Sequence, residues 1–231
     1  MKRPGGPLAA RALHFFWIAD CSGSMSADGK IQSLNNAARE ALPNMRRVAE
    51  ENPNAAVLVR LLAFSSGARW LVAEPTPVAS FSWVDLEAGG VTDLGAALSM
   101  VAKELHVPPM TSRALPPVLV LVSDGQPIDN FEQGLAELLA EPWGQRAVRI
   151  AIAIGRDTDY EVLERFIGNP MINPLTANHP DELVRYINWA STAVLQSASS
   201  PRIDPAATGP PVGVAIPTPP SAPPADVAPT W

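Results

Sequence analysis

The sequence predicts an α/β fold: a doubly wound, mostly parallel sheet with helices on both faces and one antiparallel hairpin at an edge. Three observations predict it. Leu13–Ala19, Pro117–Ser123 and Val148–Ile154 are apolar at every position but His14, Ser123 and Arg149, as strands covered on both faces tend to be. Segments with apolar residues at helical spacing alternate with these runs. Ala55–Phe64 and Arg69–Ala73 are separated only by Ser65-Ser66-Gly67-Ala68, a turn short enough for an antiparallel pair.

The bulk properties suit one such domain with a tail. The chain has 231 residues, 47% of them hydrophobic, and a formal net charge of −6. That charge argues against a nucleic-acid surface, which needs clustered Lys and Arg. The one cysteine cannot form an intramolecular disulfide, so nothing indicates an oxidising compartment. Met1-Lys2-Arg3 is basic and an apolar stretch follows, but that stretch is short, ends in Asp20 and has no small-residue cleavage site, so a signal peptide is not expected. No uninterrupted apolar stretch approaches the ~20 residues of a membrane span. A cytoplasmic protein with no membrane partner is the expectation.

Residues 1–11 are rich in Pro, Gly and Ala and read as a loose arm before a domain over residues 12–199. After the first strand, Ser26-Ala27-Asp28-Gly29-Lys30 is a turn able to cap a helix. Ile31, Leu34, Ala38, Ala41, Met45 and Val48 continue it at helical spacing,. Pro43 lies inside and is expected to kink or split the helix. Asn52-Pro53-Asn54 ends it, and the hairpin strands follow, the second closed by Pro75-Thr76-Pro77. Val78–Leu86 is an irregular connection. Leu94–Leu105 is a helix ended by Pro108-Pro109, Phe131–Leu139 another, and Tyr160–Ile167 a short one. Met171–Leu175 reads as an edge strand and Pro180–Val194 as the last helix. Residues 200–231 hold ten of the 25 prolines and read as an extended, largely disordered tail. Its Pro217–Pro224 segment is a spacer or a ligand for a proline-recognising domain.

Two strands end in carboxylates. The first runs into Asp20-Cys21-Ser22-Gly23-Ser24, and Pro117–Ser123 runs into Asp124-Gly125. Asp20, Ser22 and Ser24 alternate, so their oxygens can leave the chain on one side at the carboxyl edge of the sheet. Clefts at that edge are where open α/β sheets bind ligands. Gly89-Gly90-Val91-Thr92 brings a third oxygen donor to the start of a helix. Carboxylates with neutral hydroxyls form the donor set of a hard divalent cation. Taken singly, each residue has a plainer role: Ser22, Ser24 and Thr92 as helix caps, Asp124 as a turn residue, Cys21 as a buried thiol. His14, His106 and His179 show no ligand spacing. Asp93 reads as an exposed first-turn carboxylate, and Trp70, Trp83 and Trp143 as partly buried.

The Asp-x-Ser-x-Ser loop, the Thr after a Gly-rich turn and the strand-terminal Asp, in this order and on these elements, resemble the von Willebrand factor A (VWA) domain and its metal-ion-dependent adhesion site, on a Rossmann-like sheet. The resemblance covers roughly 13–190. It implies that Ser22 and Ser24 coordinate the cation directly, Thr92 directly or through water, and Asp20 and Asp124 mostly through water. It also implies Mg²⁺, with Mn²⁺ or Ca²⁺ as alternatives, and a partner's Asp or Glu in the remaining position. Val91 stands where many relatives have a third Gly. The stretches Asn52–Ala55, Phe64–Trp70 and Asp85–Leu98 look closest to small bacterial cytoplasmic members of the TerY type. Such proteins resemble components of tellurium-resistance or stress systems encoded beside a PP2C-like phosphatase and a protein kinase.

The resulting expectation is a non-enzymatic, cation-dependent protein-binding module. A Mg²⁺-dependent hydrolase or phosphotransferase is the main alternative, and a degenerate scaffold without metal is another. Against catalysis, the position of a second Asp in a phosphatase-like Asp-x-Asp is Ser22. There is no Gly-x-x-x-x-Gly-Lys loop and no Gly-x-Ser-x-Gly elbow. No His or Lys is expected to accompany the motifs as a general base.

Overall fold

The structure, a computed structural model, describes residues 10–155, 158–199 and 216–221. Six strands, β1 (Arg11–Asp20), β2 (Ala55–Ser65), β3 (Gly67–Pro77), β4 (Val118–Ser123), β5 (Val148–Ile154) and β6 (Leu175–Ala177), form one sheet. Their order is β3-β2-β1-β4-β5-β6. Only the β2–β3 pair is antiparallel; the other four pairs are parallel. The chain leaves β1 toward β2 on one side and returns to β4 on the other. The winding therefore reverses between β1 and β4, where a crevice opens at the carboxyl ends of the strands.

Helices α1 (Lys30–Glu50), α2 (Leu94–Glu104), α3 (Phe131–Ala140), α4 (Pro142–Arg146), α5 (Tyr160–Ile167), α6 (Pro180–Trp189) and α7 (Leu195–Ser199) cover the sheet. Alternate strand residues enter two apolar layers, as the two-residue period requires. Phe15, Trp17, Val120 and Val122 pack with Leu34, Met45, Ile187 and Leu195 of α1, α6 and α7. Phe16, Ile18, Leu119 and Leu121 pack with Leu98, Leu138 and Phe166 of α2, α3 and α5.

Several boundaries differ from the expectation. Arg11, placed in the arm, is the first residue of β1, and its guanidinium donates to the carbonyls of Arg113 (2.7 Å) and Ala114 (2.6 Å). Helix α1 passes through Pro43 without a break. Pro43 sits on the exposed face, where the carbonyl it frees can turn to water. Strand β3 continues to Pro77, since a strand with one free side tolerates residues that cannot donate. The far edge strand is Leu175–Ala177, not Met171–Leu175. Met171 is 89% exposed, and pairing with β5 begins only after Pro174, which has no donor,. Helix α4 was not expected. Past Trp189 the last helix widens into a π turn over Ala190–Val194 and resumes as α7.

The expected arm at residues 1–9 and tail at residues 200–215 and 222–231 lie outside the described residues. Within the tail, Ile216–Ser221 has no helix or strand, and Ile216 packs against the first apolar layer. Among the described residues no helix is long and apolar enough to cross a membrane.

Candidate functional site at the carboxyl edge of the sheet

The residues singled out in the sequence meet at the β1/β4 crevice. β1 ends at Asp20, which is fully buried. One of its oxygens, Oδ1, accepts from the Ser22 backbone N–H at 2.8 Å, and Oδ2 accepts from the Ser123 hydroxyl at 2.5 Å. Burial pushes this carboxyl above its usual range. The hydrogen bonds from Ser123 and Ser22 pull it back, and the nearby Asp124 charge raises it further. Ser22 and Ser24 do not act as caps. Ser22 precedes a 3₁₀ segment, Gly23–Gly29, without a side-chain capping bond. Instead, the Ser22 and Ser24 hydroxyls share a hydrogen bond of 3.0 Å, and Ser24 Oγ donates to Asp124 Oδ1 at 2.7 Å. Ser22 is buried and Ser24 exposed, so the row of oxygens opens to solvent at Ser24.

Asp124 follows β4 and is 3% exposed. It is more than a turn residue: besides Ser24, its Oδ2 accepts from Lys30 Nζ at 2.8 Å. A lysine does stand beside the motifs, but as a donor in an ion pair with Asp124 and not in the arrangement of a general base. In sequence Lys30 reads as a helix-start residue. Only the fold brings it to a carboxylate 94 residues away.

Thr92 reaches the same place from the third loop. It is 7% exposed, and its carbonyl accepts from Ile128 N–H at 3.0 Å. A Cβ built on Gly125 would lie 3.1 Å from Thr92 Oγ1 and 3.6 Å from Asp20 Oδ2. The absent side chain therefore leaves a hollow above both oxygens. The left-handed angle in the Gly-rich turn falls on Gly90 (φ 83) and not on Val91. A β-branched residue is therefore accommodated beside Thr92 without strain.

Backbone bonds tie the three loops together. Gly89 N–H donates to the Cys21 carbonyl (2.8 Å), Gly23 N–H to the Gly90 carbonyl (3.0 Å) and Asp93 N–H to the Ser65 carbonyl (2.9 Å). Asp93 is half-buried and accepts from Gly67 N–H at 2.6 Å, so its role is to hold the hairpin turn. Asp129 accepts from the N–H groups of Gly95 and Ala96 at 2.9 and 2.8 Å and caps α2 from outside,. Cys21 is buried and its thiol is pushed up to about 12, by burial first and by Asp20 second. It stays a protonated, structural thiol. His14, His106 and His179 are not part of this cluster; His14 is buried against Phe16 and His106 pairs with Glu141. Trp143 is buried, while Trp70 and Trp83 are half-buried.

Among the described residues, no group of three or more His, Cys, Asp or Glu side chains is arranged to hold a metal. Any cation held here must use hydroxyls beside the carboxylates. Sequence reasoning missed Ser123 and Lys30. Ser123 closes an apolar strand and reads as part of it. Lys30 did carry a signal: it is a cation at the first position of a helix whose first turn has no acidic residue. That is the reverse of what the helix dipole favours.

A family model described as the von Willebrand factor type A domain matches residues 17–187. No curated protein matches the sequence. Solved structures similar to this chain include a von Willebrand factor type A protein from Catenulispora acidiphila, 15% identical over 82% of this chain and 43% of that one, with a TM-score of 0.62. Another is the ArnB paralog VWA2 from Sulfolobus acidocaldarius, 18% identical over 79% and 46%, with a TM-score of 0.59. A third is proximal thread matrix protein 1 from the mussel byssus with a zinc-occupied MIDAS motif, 17% identical over 82% and 48%, with a TM-score of 0.60. The chain spans less than half the length of each of these three.

Proposed function

The chain belongs to the von Willebrand factor type A domain family, and from that premise we propose that it is a non-enzymatic protein-binding module that depends on a divalent cation. Asp20, Ser22, Ser24, Thr92 and Asp124 hold the cation, Mg²⁺ in the first instance, and a partner's Asp or Glu carboxylate completes its shell. The observation that carries this reading is the spacing of the hydroxyls. Neighbouring oxygens in an octahedral Mg²⁺ shell with bonds of about 2.1 Å lie about 3.0 Å apart. The Ser22 and Ser24 oxygens stand 3.0 Å apart. The donor set is all oxygen, as a hard cation requires. The missing side chain at Gly125 keeps the space above Thr92 and Asp20 clear. The mussel protein's zinc-occupied motif supports a metal-holding role for this edge of the fold.

When bound, the cation supplies a coordination position with a strong pull on an incoming carboxylate. The chain's own residues do the rest. Ser22 N–H and Ser123 fix both oxygens of Asp20, so its negative charge stays aimed at the crevice. Ser24, open to solvent, marks the side from which a partner approaches. Lys30 donates to Asp124 in an ion pair, which is not the arrangement of a general base. The finer placement is in a bacterial cytoplasmic stress or tellurium-resistance-like system, with a PP2C-like phosphatase or a protein kinase as partner. It rests on the TerY-type sequence resemblance alone.

Calorimetric titration of Mg²⁺ and Mn²⁺ into chelator-treated protein tests the reading, with Ser22→Ala/Ser24→Ala beside wild type. Binding is expected in wild type only. At about 100-fold over Kd it should add about 2.7 kcal/mol of stability, roughly 5–10 °C in Tm for a domain of this size. Binding unchanged in the double variant would remove these hydroxyls from the site. Phosphate release from generic esters, abolished by Asp20→Asn, would replace the module with a hydrolase.

A further inference from the structure

Lys30 is a charged side chain at the crevice that the metal-binding reading does not use. Its ammonium donates to Asp124 Oδ2 at 2.8 Å, and the two side chains are 12% and 0% exposed. The other Asp124 oxygen is taken by Ser24. The chain makes an unusual path to deliver this cation. Ala27 is extended (ψ 145), Asp28 adopts the left-handed region (φ 49, ψ 26), and Gly29 follows in the same region (φ 73). Asp28 is the one non-glycine residue with positive φ among the described residues, a conformation that costs energy for an L-residue. Helix α1 then starts on a lysine, at the end where its dipole repels positive charge,. Two unfavourable local choices end in one favourable contact, the ion pair with Asp124.

The crevice carries two carboxylates, Asp20 and Asp124, in nearly water-free surroundings. Such a pair demands a counter-charge. Lys30 provides one through its ion pair with Asp124. A divalent cation entering beside Ser22 and Ser24 meets an Asp124 already neutralised and a positive charge close by.

We propose that Lys30 is a resident counter-cation that competes with the divalent ion for Asp124. It steadies the metal-free site and holds metal affinity below what the five oxygen-bearing residues would give without it. This rests on the metal-binding reading above, and the experiment separates the two.

Mn²⁺ is titrated calorimetrically into chelator-treated wild type, Lys30→Met and Lys30→Arg, and Tm is measured for each with chelator and with Mn²⁺. Lys30→Met keeps the apolar stem and removes the charge. It should bind Mn²⁺ about tenfold or more tightly, yet melt lower than wild type in chelator, because Asp124 keeps only its bond from Ser24 and is left buried without a counter-charge,. Lys30→Arg should stay near wild type in both. Binding in Lys30→Met alone, with none detected in wild type, supports the competition in its strongest form. Equal or weaker binding in Lys30→Met, with clear binding in wild type, overturns the competition and leaves the metal site standing. No heat and no Tm change with Mn²⁺ in any of the three overturns both. Should Lys30→Met fail to fold, Lys30→Gln, which keeps a donor for Asp124 without the charge, carries the same expectations.

Discussion

At the scale of single residues, the site depends on how a fully buried carboxylate is satisfied. Asp20 relies on Ser22 N–H and Ser123 Oγ. Ser123→Ala should therefore lower stability by about 1.5–3 kcal/mol, the range for a buried hydrogen bond to a charged group, read from urea unfolding in chelator. A loss below ~0.5 kcal/mol would mean that water takes over the serine's bond. The Asp-x-Ser-x-Ser spacing, Thr92 and the strand-end Asp124 were legible in the sequence because alternation and strand ends fix where side chains leave the backbone. Ser123 and Lys30 were not. A serine at the end of an apolar strand looks like any other strand residue. A salt bridge between residues 94 apart exists only once β1 and β4 lie side by side.

At the scale of elements, the position of Thr92 depends on how α2 seats against α3. The two helices meet at glycines: a Cβ on Gly134 would come within 2.3 Å of the Gly95 carbonyl oxygen and 2.7 Å of its Cα. Gly134→Ala should push the helices apart and cost about 1–3 kcal/mol, as overpacking does. It should also weaken Mn²⁺ binding, because α2 carries Thr92 just ahead of its first turn. Unfolding and titration of the one variant check both, and a stability loss with unaltered metal affinity would uncouple Thr92 from the helix seat. The glycines were visible in the sequence but their contact was not, since nothing local says that two helices will touch there. Buried strands were the most legible elements: β5 matches its expected span, and β4 lacks only Pro117. Their apolar character on both faces leaves no alternative pattern. The far edge strand was misplaced because three residues are too few to show a period.

At the scale of the whole molecule, the second apolar layer contains a titrating group. His14 is 5% exposed, stacked on Phe16 and close to Arg60. Arg60 lies over the same ring and pairs with Glu104 at 2.9 Å, with Glu74 also within its field. Burial, and then the Arg60 charge, lower the His14 imidazole to about 4 from 6.5. The folded protein thus refuses a proton that the unfolded chain accepts. The His14 contribution is fully present above pH 6.5, falls away between pH 6.5 and about 4, and amounts to roughly 3 kcal/mol,. Urea unfolding across that interval should show stability rising with pH, and His14→Phe should flatten the slope; an unchanged slope would assign it to the carboxylates. The sheet's two outer rims carry a different consequence. One is β3, which includes Pro75 and Pro77, and the other is β6, three residues long. β6 is too short to offer a long row of free N–H and C=O groups to a neighbouring chain, and the prolines interrupt that row over the last three residues of β3,. Side-by-side addition of another chain is thereby discouraged at β6 and at the proline end of β3,.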